Sequence, residues 1–320
     1  MIDRIPSGTR DVLPDEMREL RAITEQLRAQ FEAAGYGEVY TPALEYEGTL
    51  ARGESTATIP AYRVFDEQGL VLALRSDMTV PIARLVATRY AAAEPPLRFC
   101  YFAHAYRRVR PQRGQPREFL QAGVELVGAP APAGTAEALT VLCAALDAVG
   151  LNTYSVGLGD ASLYPALLER VGVDPERRGA LVEELVAGDF VGLEREVEAL
   201  GLDDESTELL LRVPQIRGGP EVLADVPEPL DAAVQGMRSV HALLPPDAAA
   251  RVIFDLGLVR HLGYYTGAVF QVYDPALGVP IGSGGRYDDL LGRFGRPLPA
   301  VGFALGVEKL HIALAGEEGR

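Results

Sequence analysis

Strand-like sequence in this chain stops at Leu158 and returns only with RVIFDLGLVR, which begins at Arg251; short amphipathic helical segments fill residues 162 to about 244 between them. That order, α+β, then helices, then β again, constrains the fold more than any other feature. It points to one mainly antiparallel sheet assembled from both ends of the chain around a helical insertion. Residues 1–160 and 250–320 would form the core, and residues 161–249 the insertion.

Within the first part, residues 14–34 carry Met17, Leu20, Ile23, Leu27 and Phe31 at helical spacing, and Gly35 supplies the stop. A strand is expected at 38–41. The segment YRVFDEQGLVLALRSD reads as a hairpin turning at Gly69, and 80–91 as a helix. LRFCYFAHAYRR and EFLQAGVEL read as a second hairpin, followed by a helix at 135–149 and a strand at 154–158. At the far end, YYTGAVFQVY, the glycine-rich IGSGGRYDDLLGRFG and VGFALGVEKLHIALAG return to strand texture and run into a last helix.

With 320 residues and 48% hydrophobic composition, the chain can bury a substantial core. MIDRIPSGTRDVLPDEM has no apolar signal core, and the most apolar stretch, 138–151, is broken by Asp147 and too short to span a bilayer. We therefore expect a soluble cytoplasmic protein. Cys100 and Cys143 sit in apolar surroundings without metal-ligand spacing, and the four histidines form no cluster, so no metal site is expected.

The net charge of −15 argues against a general nucleic-acid surface. Twelve acids against three arginines between residues 174 and 208 give a local net of −9, so most of the excess belongs to the insertion. Against this background, five arginines fall within the eleven residues from Arg107 to Arg117. They either balance nearby acids or form an anion clamp, and Glu118, Gln121 and Glu125 on the returning strand give the clamp polar company.

Three further stretches can carry chemistry. In LVRHLGYYTG, Arg260 with Tyr264 and Tyr265 could hold a carboxylate and a flat ring, although two adjacent strand residues would point to opposite faces. In LRSDMTVPIARL, Asp77 or Thr79 is either a helix cap or the receiver of an ammonium group. Gly282, Gly284 and Gly285 mark either a bulge or a close approach.

These pieces, in this order, resemble the catalytic core of a class II aminoacyl-tRNA synthetase, specifically histidyl-tRNA synthetase. YRRVRPQRGQPREFLQAGVE resembles that family's motif 2, LVRHLGYYTG and GGRYD its histidine-specific stretches, and GFALGVEKL its motif 3, while Pro42 would sit in the motif 1 region that forms the dimer interface. The resemblance implies an antiparallel sheet flanked by helices, with a helical insertion. It also implies a histidine pocket: Asp77 and Thr79 at the amino group, Gln121 at the amino acid backbone, Glu125 and Tyr265 at the imidazole with Tyr264 beside it, and Arg260 near the carboxylate.

The nucleotide half departs from the family. Val109 stands where motif 2 has glutamate, Lys309 where motif 3 has arginine, Asp77 where glutamate is usual, and His261 and Gly263 interrupt RGLDYY. Arg107, Arg113 and Lys309 remain as anion-binding candidates. Only ten residues follow Leu310, so no anticodon-binding domain and no tRNA are expected. This pattern resembles the histidyl-tRNA synthetase-like regulatory subunits of ATP phosphoribosyltransferase. That resemblance implies a non-catalytic protein without cofactor, paired with a short-form catalytic subunit in the first step of histidine biosynthesis, with L-histidine as ligand and feedback inhibitor. The alternative is a truncated, amino-acid-activating enzyme of the same fold.

Overall fold

The computed structural model describes residues 5–53, 61–108, 116–224, 226, 230–259 and 263–318. Helix α1 (Pro14–Ala33) opens with proline at its first position and Asp15 and Glu16 in its first turn, where missing amide bonds and the helix dipole favour them. Leu20, Ile23, Leu27 and Phe31 are buried as the spacing predicts, Met17 is 39% exposed, and Gly35, at φ +84°, turns the chain out of the helix. The strand expected next contracts to two residues, β1 (Gly37–Glu38).

After β2 (Leu44–Tyr46) and the single turn α2 (Glu47–Leu50) come β3 (Arg63–Phe65) and β4 (Val71–Leu74), the hairpin at Gly69; they form a small sheet in the order β2-β4-β3. Helix α3 (Thr79–Arg89) leads to the long hairpin of β5 (Leu97–Tyr106) and β6 (Glu118–Val127), then α4 (Ala133–Ala148) and β7 (Ser155–Asp160).

The next stretch holds α5 (Leu163–Arg170), α6 (Pro175–Ala187), α7 (Phe190–Glu198), α8 (Asp204–Arg212), a two-residue strand β8 (Arg217–Gly218), α9 (Asp231–Ala242) and the short α10 (Pro246–Ala249). Three of its acids are helix caps: Asp174, Asp189 and Asp203 accept the amides of Glu176, Gly192 and Ser206 at 3.0, 2.8 and 2.8 Å. The stretch is not purely helical, because β8 extends the main sheet at its edge.

The chain closes with β9 (Val252–Asp255), β10 (Ala268–Tyr273), β11 (Gly282–Arg286), β12 (Ala300–Gly306) and α11 (Val307–Glu318). Nine strands pair in the order β1-β5-β6-β12-β11-β10-β7-β9-β8. Only β1 with β5 and β7 with β9 are parallel; all other pairs are antiparallel. The sheet is thus assembled from both ends of the chain, with β12 seated between β6 and β11. One hydrophobic cluster runs from Leu27 and Phe31 on α1 through Leu139 and Leu142 on α4 to Leu193 and Leu210 on α7 and α8. The helices of the insertion therefore share the core of the sheet.

Candidate functional site

β4 delivers the chain to Arg75, whose buried guanidinium donates to the carbonyls of His104 at 2.8 Å, Thr41 at 2.6 Å and Pro42 at 3.2 Å. That clamp fixes the approach to Asp77. The buried Asp77 uses Oδ1 to accept the Val80 amide at 3.3 Å, while Oδ2 is buried with no hydrogen-bond partner among the described residues. One oxygen thus accepts an amide of the first turn of α3, and the other has no hydrogen-bond partner among the described residues. Burial raises the Asp77 pKa, against the pull of the Val80 amide and the positive charge of Arg107.

Thr79 starts α3 but does not cap it: its hydroxyl donates to Glu125 Oε1 at 2.7 Å. Tyr287, immediately after β11, donates its hydroxyl to the other oxygen of Glu125. Glu125 is almost wholly buried in β6, and burial pushes its pKa up to about 8 against the two hydroxyl bonds. Glycine is required opposite it. Gly302 pairs with Glu125 across the β6–β12 ladder, and a Cβ there would collide with the Glu125 carboxylate and the Val124 carbonyl.

Gln121 lies two and four residues from Gly123 and Glu125, on the same face of β6. Its Oε1 is buried without a hydrogen-bond partner among the described residues. Between them, the Tyr101 hydroxyl lies 2.5 Å from where a Cβ of Gly123 would stand. Three acceptors thus line one strip: Asp77 Oδ2, Gln121 Oε1 and the Glu125 carboxylate.

Tyr264 and Tyr265 are not strand residues. They precede β10, and their rings lie side by side with centroids 5.0 Å apart, which corrects the expectation of opposite faces. Tyr264 is buried edge-on against Tyr287 at 5.7 Å, with its hydroxyl bonded to Thr79; Tyr265 is half-buried. The glycines of β11 explain how the rings come so close: the ladder is unbroken, and a Cβ on Gly285 would stand 2.7 Å from the Tyr265 ring. These glycines mark close approach and not a bulge.

The structure therefore brings Asp77, Thr79, Glu125, Tyr264 and Tyr265 together, with Gln121 further along the same strand face. Arg260 and Arg113 fall outside the described residues. Arg107 holds its guanidinium 5.0 Å above the Phe119 ring, and Lys309 donates from Nζ to the Pro280 carbonyl at 2.8 Å. Arg286 of the GGRY run is structural: it is buried and bonded to Asp288, Thr135 and the Ala129 carbonyl. Tyr287 and Tyr101 were missed in the sequence. Tyr287 stands in the quoted GGRYD stretch, but nothing local says that its hydroxyl meets Glu125.

A cleft of about 600 Å3 lies elsewhere, lined in part by Gly35, Arg98, Glu137 and Leu243. Its charges are already satisfied, because Arg98 forks onto Glu137 at 2.7 and 2.9 Å and Tyr36 donates to the same carboxylate. Among the described residues, no helix is long and apolar enough to cross a membrane.

The histidyl-tRNA synthetase family profile matches residues 8–310. The chain is 43% identical over 317 residues to the ATP phosphoribosyltransferase regulatory subunit of Symbiobacterium thermophilum, covering 97% of this chain and 79% of that one. It is 38% identical to the regulatory subunit of Desulforamulus reducens, covering 99% and 80%. Among solved structures, one described as an ATP phosphoribosyltransferase regulatory subunit/histidyl-tRNA synthetase from Bacillus halodurans superposes with a TM-score of 0.89 at 34% identity, covering 98% of this chain and 84% of that one. A histidyl-tRNA synthetase from Nostoc superposes at 0.82 with 22% identity, covering 99% and 76%, and so shares the fold.

Proposed function

Since the chain belongs to the histidyl-tRNA synthetase-like family of ATP phosphoribosyltransferase regulatory subunits, we propose that it serves histidine biosynthesis by binding L-histidine in the Asp77–Glu125 pocket and passing that signal to a short-form catalytic subunit. The observation that carries the pocket is the pair of buried acceptors that have no hydrogen-bond partner among the described residues, Asp77 Oδ2 and Gln121 Oε1, beside a buried Glu125 that accepts from two hydroxyls. A buried acceptor left unmatched costs about 1–3 kcal/mol. A ligand bringing an ammonium group and a ring N–H removes that cost.

L-Histidine supplies both donors. Its ammonium would meet Asp77, Gln121 would take its backbone, and its imidazole would lie between Glu125 and Tyr265. Histidine then acts as a regulator through its different affinities for the active and inactive complexes, with couplings of about 1–3 kcal/mol.

A non-catalytic role is favoured by Lys309. Its ammonium is engaged by the Pro280 carbonyl, and it lacks the planar fork with which arginine grips a phosphate. We also propose that the protein pairs with itself through the small sheet. Tyr46, Leu72 and Val64 form one row across β2, β4 and β3, and Leu44, Tyr46 and Val64 are 42, 55 and 44% exposed.

The test is steady-state phosphoribosyl transfer by the short catalytic subunit, with and without this protein, across a histidine titration. Activation by the protein and inhibition by histidine are expected. Unchanged turnover on adding the protein would sink the regulatory reading, and histidine-dependent pyrophosphate exchange by the protein alone would favour an activating enzyme.

A further inference from the structure

The insertion carries a second concave surface that the histidine pocket does not use. It is a cleft of about 240 Å3 between α7 and α8, lined by Phe190, Val191, Leu193, Glu194, Leu211 and Gln215. Small-molecule sites run from about 300 Å3 upward, so this cleft suits an inserted side chain better than a free ligand. Its apolar rim faces water: Val191 is 77% exposed and Phe190 43%.

The surroundings are strongly negative. Residues 174–208 carry a net of −9, and including Arg212 changes this only to −8. Arg195, beside Glu194 in sequence, is bracketed by Glu184 and Glu196 at 3.8 and 3.7 Å. Glu194 lines the cleft with no ion pair among the described residues and is exposed. An apolar side chain seated in a pocket holds a complex by excluding water, and charge of opposite sign around it steers encounter.

We propose that this cleft docks an apolar side chain of the catalytic phosphoribosyltransferase subunit, presented by that subunit within a basic surface. The assignment rests on the regulatory-subunit reading and adds to it the surface and the chemistry of the contact. A basic partner surface follows from the charge of the insertion. An acidic one would place like charges face to face.

The experiment measures binding of the catalytic subunit encoded in the same genome to the wild-type chain and to Val191→Arg, Glu194→Lys and Glu25→Lys. Glu25→Lys makes the charge change of Glu194→Lys at an exposed position of α1, outside the insertion. Both cleft variants should lose at least tenfold in affinity, Glu25→Lys should bind like wild type, and raising the salt from about 50 to 500 mM should slow wild-type association. The heat of histidine binding, unchanged in all variants, reports that they are folded. Wild-type affinity in both cleft variants would overturn this surface and leave the regulatory reading standing. No association of the wild-type chain would defeat that reading itself. Loss of self-association in Val191→Arg without the partner would assign the cleft to a second copy and also overturn the proposal.

Discussion

Thr79 Oγ1 lies 2.7 Å from Glu125 Oε1, so the first residue of α3 is bonded directly to the C-terminal part of β6. Removing Glu125 takes one acceptor from the proposed pocket and leaves the Tyr287 hydroxyl buried without its partner. Glu125→Ala should weaken histidine binding by about 1–3 kcal/mol, roughly fivefold to 150-fold, by calorimetry. Thr79→Val should cost about 1 kcal/mol, because Tyr287 still orients the carboxylate. Wild-type affinity in both variants would remove this pocket from the mechanism.

The same carboxylate makes stability depend on pH. In the folded, ligand-free protein burial lifts Glu125 from its ordinary 4.5 to about 8, so its protonated form is the one the fold prefers. Its contribution is complete below about pH 4.5 and is lost as pH rises through 8; Asp77 is shifted in the same direction. Urea unfolding should therefore show wild type losing on the order of a few kcal/mol between pH 5 and 8.5 relative to Glu125→Gln, whose side chain does not titrate. Parallel pH profiles would contradict the burial argument.

Two glycines should resist substitution for different reasons. Gly302→Ala drives a methyl into the Glu125 carboxylate, which cannot yield without losing its Thr79 and Tyr287 bonds, and into the Val124 carbonyl, which cannot yield without distorting the ladder. Overpacking of this kind costs about 1–3 kcal/mol, and histidine binding should fall with it. Gly285→Ala meets the half-buried Tyr265 ring, which can swing away, and the Ala268 carbonyl at 2.9 Å, which as strand backbone cannot. Thermal stability should therefore fall there too, by less than at Gly302, while histidine affinity drops.

The exposed row on the small sheet predicts a monomer on demand. Tyr46→Asp combined with Val64→Asp places two charges on a face that is apolar and accessible in the single chain. Sedimentation should show a dimer for wild type and a monomer for the double variant at the same concentration, with unaltered circular dichroism. A dimer that survives both substitutions would place the interface elsewhere.

Much of this was legible along the chain. The α1 stripe, both hairpins and the β12–α11 turn each carry a local period or turn residue, and Gln121 and Glu125 show their shared face by the two-residue repeat of a strand. What escaped depends on pairing between distant segments. Tyr287 reaches Glu125 only because β12 aligns β11 beside β6, and that register is written in no single segment. Arg75 escaped because arginines are ordinarily exposed, whereas this one is buried on three backbone carbonyls. Strand β8, at two residues, is too short to show any alternation.

The seat of β12 between β6 and β11 also sets an order of events during synthesis. β6 is complete at Val127, yet its outer neighbour begins at Ala300. At about 5–20 residues per second, a ribosome leaves that edge open for roughly ten to thirty seconds. Throughout that interval β6, paired with β5 on one side, leaves its other edge open, the kind of surface that templates association with another chain. Glu125 is on that strand, so the candidate site is also the place where a stalled or crowded chain is most exposed to misassembly and to capture by chaperones.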